Sequence, residues 1–440
     1  MKIELLFCLM VAGAGFFIGN ELRAEVRTYA LGDVLQEAMS NNPTLQNSQA
    51  RVDQLTATKN LQWAPLLPEL TWTLGGASRK DAVIGGIARF GGKAYNQYSS
   101  DLEVTQTLFT KGLFSAVTAS NYEVKIQQEQ IKLESRRIYQ QVLAAFYRLL
   151  LHQEAYQYLL NNQKIIDQAV KTTQKRIQTG RSQMLDLLQV KTQAAVLVPQ
   201  LQESKKQMEI ASQELLNLMG KKEGEELELK GKLPALYLKE IESRLLAARI
   251  ELPEFHINNM RQEQLEYQRD SLLGSEFPTL RLTGNYFFQN SKKEELFEDY
   301  AHGKSILLEL TVPIFNGLTF LNQRKSLASQ RTQLELGRKE LENDLNLRQQ
   351  SGLKSVLTSE SSLISAQEAV TLALEAQKEA QRIYNLSQID FLQFLLVQQA
   401  ALQAQLNFNN LKYENLLAHL NYSVASGYSL EVLAQHLMGK

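Results

Sequence analysis

The chain has 440 residues, 44% hydrophobic and 21% charged, with 47 basic and 47 acidic side chains and a formal charge of zero. Such a composition can bury a core and is unlike that of a disordered chain. Balanced charge without a basic patch speaks against a nucleic-acid binder that works by neutralising phosphates.

The first residues carry Lys2, an apolar run over 5–18 and Ala24, the pattern of a signal peptide 1–24 cleaved after Ala24. The run is too short to cross a bilayer as a helix. Cys8, the single cysteine, falls within it and follows Leu6 and Phe7, where a lipoprotein site needs small residues. The mature chain then has no thiol, which excludes disulfides and cysteine metal sites. No later stretch offers about 20 uninterrupted apolar residues, so a membrane could be entered only as a β-barrel.

The remainder reads as one unit written twice. Pro43 matches Pro253 and Pro68 matches Pro278, each pair 210 residues apart. Further on, LEVTQTLFTKG (102–112) pairs with LELTVPIFNG (308–317), and RIQTGRSQMLDLLQ (176–189) with RIYNLSQIDFLQ (382–393). The expected division is a first repeat 25–219, a charged, glycine-containing connector 220–240, a second repeat 241–425 and a tail 426–440. Each repeat reads helix, strand, loop, strand, long helix, tight turn, helix.

In chain order, 33–63 is helical by pattern, with Asp33 as its cap, and Pro65 and Pro68 end it. Residues 66–78 then alternate apolar and polar: Leu70, Trp72 and Leu74 against Thr71 and Thr73. The next alternation sets Tyr98, Leu102, Val104 and Leu108 against Ser99, Asp101, Glu103, Thr105 and Thr107. Gly85, Gly86, Gly91 and Gly92 lie between the two strands and read as an extracellular loop, since no helix follows to make a phosphate site.

From 112 to 178 there is no proline, and a helix of that length would run about 99 Å. A heptad seam passes through Ile138, Val142, Ala145, Leu149, His152, Tyr156, Leu159, Gln163, Ile166, Val170, Thr173 and Ile177, so a partner helix must cover it. The returning helix over 185–219 would span about 52 Å and the entering one about 46 Å. Placed end to end, these two would match the long helix, with Pro199 kinking the returning one.

The second repeat has Leu280, Leu282, Gly284, Tyr286 and Phe288 on one strand face opposite Thr279, Arg281, Thr283 and Asn285. Its second strand sets Ile306, Leu308, Leu310, Val312 and Ile314 against Ser305, Glu309 and Thr311. The helical seam that follows is expected through the small residues Ala366, Ala369, Ala373, Ala376 and Ala380, then Ile383, which let helices approach closely. Four strands of about ten residues with one apolar face suit a tilted membrane crossing. Four are too few to close a barrel, so several copies must contribute, around a wet lumen. The competing possibility, an ordinary sheet packed on a helix, meets the difficulty that such long helices leave no compact body to pack on.

The NNP and LP motifs before the first strand, LTVPIFNG before a long helix, and the two turn motifs together resemble the TolC-like outer-membrane efflux protein family, over essentially the whole mature chain. The resemblance implies a mainly α chain with a membrane β-barrel: a homotrimer whose twelve strands close one barrel in outer-membrane lipid, continued by a long periplasmic helical tunnel. It also implies an exit duct for efflux or type I secretion, met at its tip by a periplasmic adaptor and an inner-membrane transporter. That family often narrows its tip with acids beside the second helical turn. Asp390 holds the position of the first such acid and Gln393 stands where a second is sometimes found. Symmetry would make Asp390 a ring that favours cations, although a helix cap or a solvated charge fits it as well. Asp186 is its counterpart in the first hairpin. Gly180, Arg181, Ser182, Ser387 and Gln388 read as turn residues, with adaptor contact as their second role.

Histidines 152, 256, 302, 419 and 436 show no metal-ligand spacing, and no cofactor is implied. No nucleophile, base and oxyanion set can be assembled, so the chain reads as a passive conduit and not an enzyme. The alternative class is a periplasmic coiled-coil adaptor or scaffold without a membrane barrel. It would need lipoyl-like and barrel modules around one hairpin, whereas this chain has two hairpins, each preceded by a strand pair.

Overall fold

A computed structural model describes residues 27–80, 94–180, 182–221, 227–241 and 251–438. The signal-peptide segment 1–24, the glycine pairs at 85–86 and 91–92, and Arg181 lie outside the described residues.

The first half comprises β1 (Arg27–Tyr29), α1 (Leu31–Asn41), α2 (Pro43–Leu61), β2 (Glu69–Arg79), β3 (Tyr95–Phe109), α3 (Leu113–Gln178) and α4 (Met184–Leu218). After β4 (Leu227–Leu229) come α5 (Pro253–Gly274), β5 (Thr279–Asn290), β6 (His302–Thr311), α6 (Thr319–Asn385) and α7 (Phe391–Ala425). The chain ends in α8 (Leu430–Met438). α3 and α6, of 66 and 67 residues, run about 100 Å each.

The entering helix is two helices. Pro43 cannot donate a hydrogen bond and favours the first helical position, so the chain restarts there. Asn42 caps α2 by accepting from the Thr44 N–H at 2.9 Å, and its amide donates to the Leu218 carbonyl at 2.8 Å. The end of α4 is thereby tied to the start of α2, and the two lie in tandem beside α3. Asp33 is not a cap: it sits one turn inside α1, where its carboxylate accepts from the Ala30 N–H at 3.1 Å. Pro199 lies within a continuous α4.

On α3, Ile138, Val142, Leu149, Ile166 and Thr173 of the heptad series are buried, with His152 and Tyr156 half-buried. The α6 seam differs from the alanine series. Ala366 and Ala380 are buried, but the buried line continues through Leu363 and Tyr384, with Val370, Ala373 and Gln377 half-buried, while Ala369 and Ala376 are exposed. The larger side chains, not the alanines, select the face that meets α7.

The larger sheet is antiparallel in the order β2-β3-β5-β6, which leaves β2 and β6 as unpaired edges. Its register places Trp72 opposite Leu102, Leu102 opposite Tyr286, and Leu282 opposite Leu308. A bulge between Thr107 and Phe109 pairs Phe109 with Leu280, so Phe109, and not Leu108, continues the apolar face. β6 stops at Thr311, ahead of Pro313, so Val312 and Ile314 lie past the strand.

A belt midway along the helices holds the largest core. Leu35 and Val34 of α1, Phe146 of α3, Met219 after α4, and Leu236 of the connector share it. So do Leu420 of α7 and Leu433 of α8, so the C-terminal segment is a docked helix and not a loose tail. The connector crosses this belt on side-chain clips. The backbone N–H groups of Leu233, Leu236 and Leu238 donate to Glu154, Asn415 and Glu360 at 3.3, 3.0 and 2.6 Å. β4 of the connector also pairs in parallel with β1.

Candidate channel and periplasmic tip

One face of the sheet is apolar and uncovered. Trp72 is 66% exposed and Ile306 85%, with Leu70, Leu74, Leu308 and Leu310 alongside them. Uncovered apolar area of this extent would be driven out of water, and hydrocarbon is the environment that suits it. The opposite face carries Glu69, Thr71, Thr73, Asp101, Glu103, Thr283, Asn285 and Glu309, with Arg281 opposite Glu309. That is the polarity of a wet lumen with a carboxylate excess. At the strand ends nearest the helices, Trp63 and Phe114 meet edge to face at 5.8 Å, and Lys111 stands 3.4 Å over the Phe277 ring. Aromatic and cationic side chains of this kind mark a membrane interface.

The backbones of α5 and α3 touch where α5 ends against the start of α3. A Cβ on Gly274 would lie 2.2 Å from the Gly112 Cα, so both positions require glycine for backbone contact.

At the far end the two hairpin turns come together. The α3–α4 turn uses Gly180 at φ +71°, and the α6–α7 turn puts Ser387 at φ 61°, a left-handed conformation that a non-glycine residue adopts at a cost. Asp186 accepts from the Ser182 hydroxyl at 2.6 Å and from the Gln183 N–H at 3.0 Å. These bonds, the hydroxyl's foremost, hold its carboxyl below the usual aspartate range. Asp390 is the N-cap of α7, with Oδ1 accepting from the Gln393 N–H at 2.8 Å, and the side chain remains exposed. Its cap role and its exposure coexist, because capping engages one carboxylate oxygen.

A cleft of about 280 Å³ between the turns gathers Ser182, Asp186, Ser387, Gln388 and Asp390 with Arg176. Gly180 and Gln393 are not in its lining. The side chain at its heart is Tyr384, 2% exposed, whose hydroxyl shares a 3.0 Å hydrogen bond with Thr173 of the other hairpin. The Arg176 guanidinium donates to the Tyr384 carbonyl and sits 4.5 Å from its ring centroid, while Phe394 stacks on that ring at 4.6 Å. Sequence reasoning passed over Thr173, Arg176 and Tyr384 as functional residues. A signal was present: RIQ in the first repeat becomes RIY in the second, so Tyr384 is one of the places where the two copies differ.

Among the described residues no cluster has the make-up of a metal site, and no helix is long and apolar enough to cross a membrane. The membrane-facing part is the sheet. The apolar-faced sheet and the long helices together have the make-up of a protein that crosses a membrane as strands and continues beyond it as helices.

Residues 34–221 match the model of the outer membrane efflux protein family. The chain is 23% identical over 419 residues to outer membrane protein TolC of Salmonella enteritidis, covering 90% of this chain and 82% of that one. It superposes on the CmeC outer membrane channel of Campylobacter jejuni with a TM-score of 0.72 at 16% identity, covering 93% of this chain and 89% of that one. For the open state of the MtrE outer membrane channel of Neisseria gonorrhoeae the TM-score is 0.70 at 14% identity, with 90% and 88% covered. These two likenesses establish the fold. The family match covers the first repeat, while the likenesses to TolC and to these channels run over nine-tenths of the chain, so the three comparisons agree on a chain similar to outer membrane efflux proteins.

Proposed function

We propose that three copies close one twelve-stranded barrel and one helical tunnel, the passive exit duct of a tripartite efflux or type I secretion system. Cargo is delivered by an inner-membrane transporter through a periplasmic adaptor. Two uncovered edges of the single chain carry this reading. On α6, exposed Leu321, Leu336, Leu347, Leu357, Ile364 and Leu372 fall within one stripe about 100° wide at 3.6 residues per turn. On α4 at the opposite edge, exposed Leu185, Leu188, Val196 and Ile210 fall within about 80°. The first stripe continues the open edge of β6, and the second lies on the side of β2. Such a pair of unlike edges supports a head-to-tail ring and leaves no strand edge unpaired once it closes.

In this reading the units 25–219 and 241–425 are two tandem repeats of each protomer, joined by 220–240 and closed by 426–440. The tip constriction is Asp390, with Asp186 and Gln393 near it. Gly180, Arg181, Ser182, Ser387 and Gln388 meet the adaptor. Detergent extraction from the outer-membrane fraction, a mass measurement and planar-bilayer conductance test the duct. A trimer with discrete conductance is expected, and Leu357→Glu is expected to yield monomer. A wild-type monomer without conductance would refute the ring.

A further inference from the structure

Along β5 and β6 the outward face changes character at one level. Ile306 stands opposite Gly284, Leu308 opposite Leu282 and Leu310 opposite Leu280, which makes an aliphatic band. At the next pair away from the helices, Tyr286 faces Lys304, and at the one after that Phe288 faces His302. The rings form a cluster: Tyr286 and Phe288 meet at 5.4 Å, Phe288 and Phe297 at 5.2 Å, and Tyr286 and His302 at 5.9 Å. His302 is steadied by a 2.5 Å bond from Nδ1 to the Asp299 carbonyl.

Lys304 is exposed and makes no ion pair or hydrogen bond among the described residues. An ammonium on the outward face, just above a band of aliphatic side chains, can neither sit in hydrocarbon nor reach the lumen carboxylates. Its long stem lets the charge rise to the polar interface, where lipid phosphates lie. The end of the sheet bearing Lys304 is the one opposite the helical tunnel, so this interface belongs to the outer leaflet.

We infer that Lys304, flanked by Tyr286, Phe288 and His302, is a binding site for the phosphate of an outer-leaflet glycolipid, the phosphorylated glucosamine end of lipopolysaccharide. The rings offer flat apolar surface to the sugar and upper acyl chains, and the ammonium takes the phosphate. The reading rests on the placement of the sheet in the outer membrane. A site of this kind would anchor each protomer at a fixed height.

The test uses delipidated full-length protein in detergent, with bound lipid counted by native mass spectrometry. Lipopolysaccharide, the same lipid after phosphatase treatment, and phosphatidylglycerol are the three probes. Wild type is expected to retain lipopolysaccharide, Lys304→Arg to keep it, and Lys304→Gln to bind about fivefold more weakly, the loss expected for one interfacial cation. The phosphatase-treated lipid should bind wild type as weakly as intact lipid binds Lys304→Gln. Unchanged binding by Lys304→Gln, or equal retention of phosphatidylglycerol, would overturn the assignment. Oligomeric mass and conductance, recorded on the same samples, report separately on the duct, because Lys304 faces away from the lumen.

Discussion

The outward orientation of the apolar strand face can be tested by two substitutions three residues apart. Leu308 lies in the middle of the aliphatic run on β6 and Ser305 points to the opposite face. An arginine at the lipid-facing midplane of a membrane strand costs about 2–4 kcal/mol. Three symmetric copies would raise the cost of Leu308→Arg to about 6–12 kcal/mol per trimer, comparable with the whole stability of an ordinary domain. Ser305→Arg places the same charge beside water, in line with Asn285 and Glu103, and should stay within about 0.5 kcal/mol of wild type. The assay is the trimer fraction on semi-native gels of outer-membrane extracts across a urea series. A large loss for Leu308→Arg with a wild-type curve for Ser305→Arg is expected. Equal tolerance of both, or greater damage from Ser305→Arg, would mean that the sheet does not meet lipid on its aliphatic face.

Four further outcomes are expected. Asp390→Ala should remove the cap of α7 at a cost of about 1 kcal/mol and weaken cation preference, read as a smaller reversal potential in a salt gradient; unchanged selectivity would remove Asp390 from the constriction. Tyr384→Phe should leave the buried Thr173 hydroxyl without a partner at a cost of about 1–3 kcal/mol, visible as faster protease cleavage at the hairpin tips. Gly274→Ala should force α5 away from α3 and destabilise by about 1–3 kcal/mol in urea titration, more than the same change at Gly337, where a Cβ meets nothing within 4 Å. Because its folded-state pKa lies below the ordinary aspartate value, Asp186 adds stability to the tip at and above that ordinary value, and the gain is lost as pH falls through the folded value. The acid dependence of tip proteolysis should therefore flatten in Asp186→Asn.

The long helices and the strands were legible because each repeats one simple period over many residues. The seam through Val142, Leu149 and Ile166 recurs often enough that no local choice could hide it. Features set by a single residue were harder to read. The break at Asn42 depends on a cap bond and on the Leu218 carbonyl, which is distant in sequence. The bulge at Leu108 inserts one residue, and nothing in the alternation over 98–108 marks it. On α6 the alanine series misplaced the seam because alanine suits both a tight interface and an exposed helix face. Only contact with α7 decides between Ala369 outside and Leu363 inside. The tip was read from its acids, whose roles depend on symmetry. Its buried anchor, Tyr384, depends on Thr173, 211 residues away.

The split helices have a mechanical consequence. α3 and α6 run unbroken from the membrane to the tip, whereas α2 and α4 meet end to end at Asn42 and Leu218. α3 therefore packs against α2 and α5 near the membrane and against α4 and α7 near the tip, so its neighbours change at the midpoint. A change of partners leaves chain ends to be satisfied at that level, and the densest core lies there, with α1, α8 and the connector wrapped around it. Glu154, Asn415 and Glu360 come from α3, α7 and α6, and each accepts from a connector N–H. The connector thus fastens three tunnel helices to one another at their midpoint.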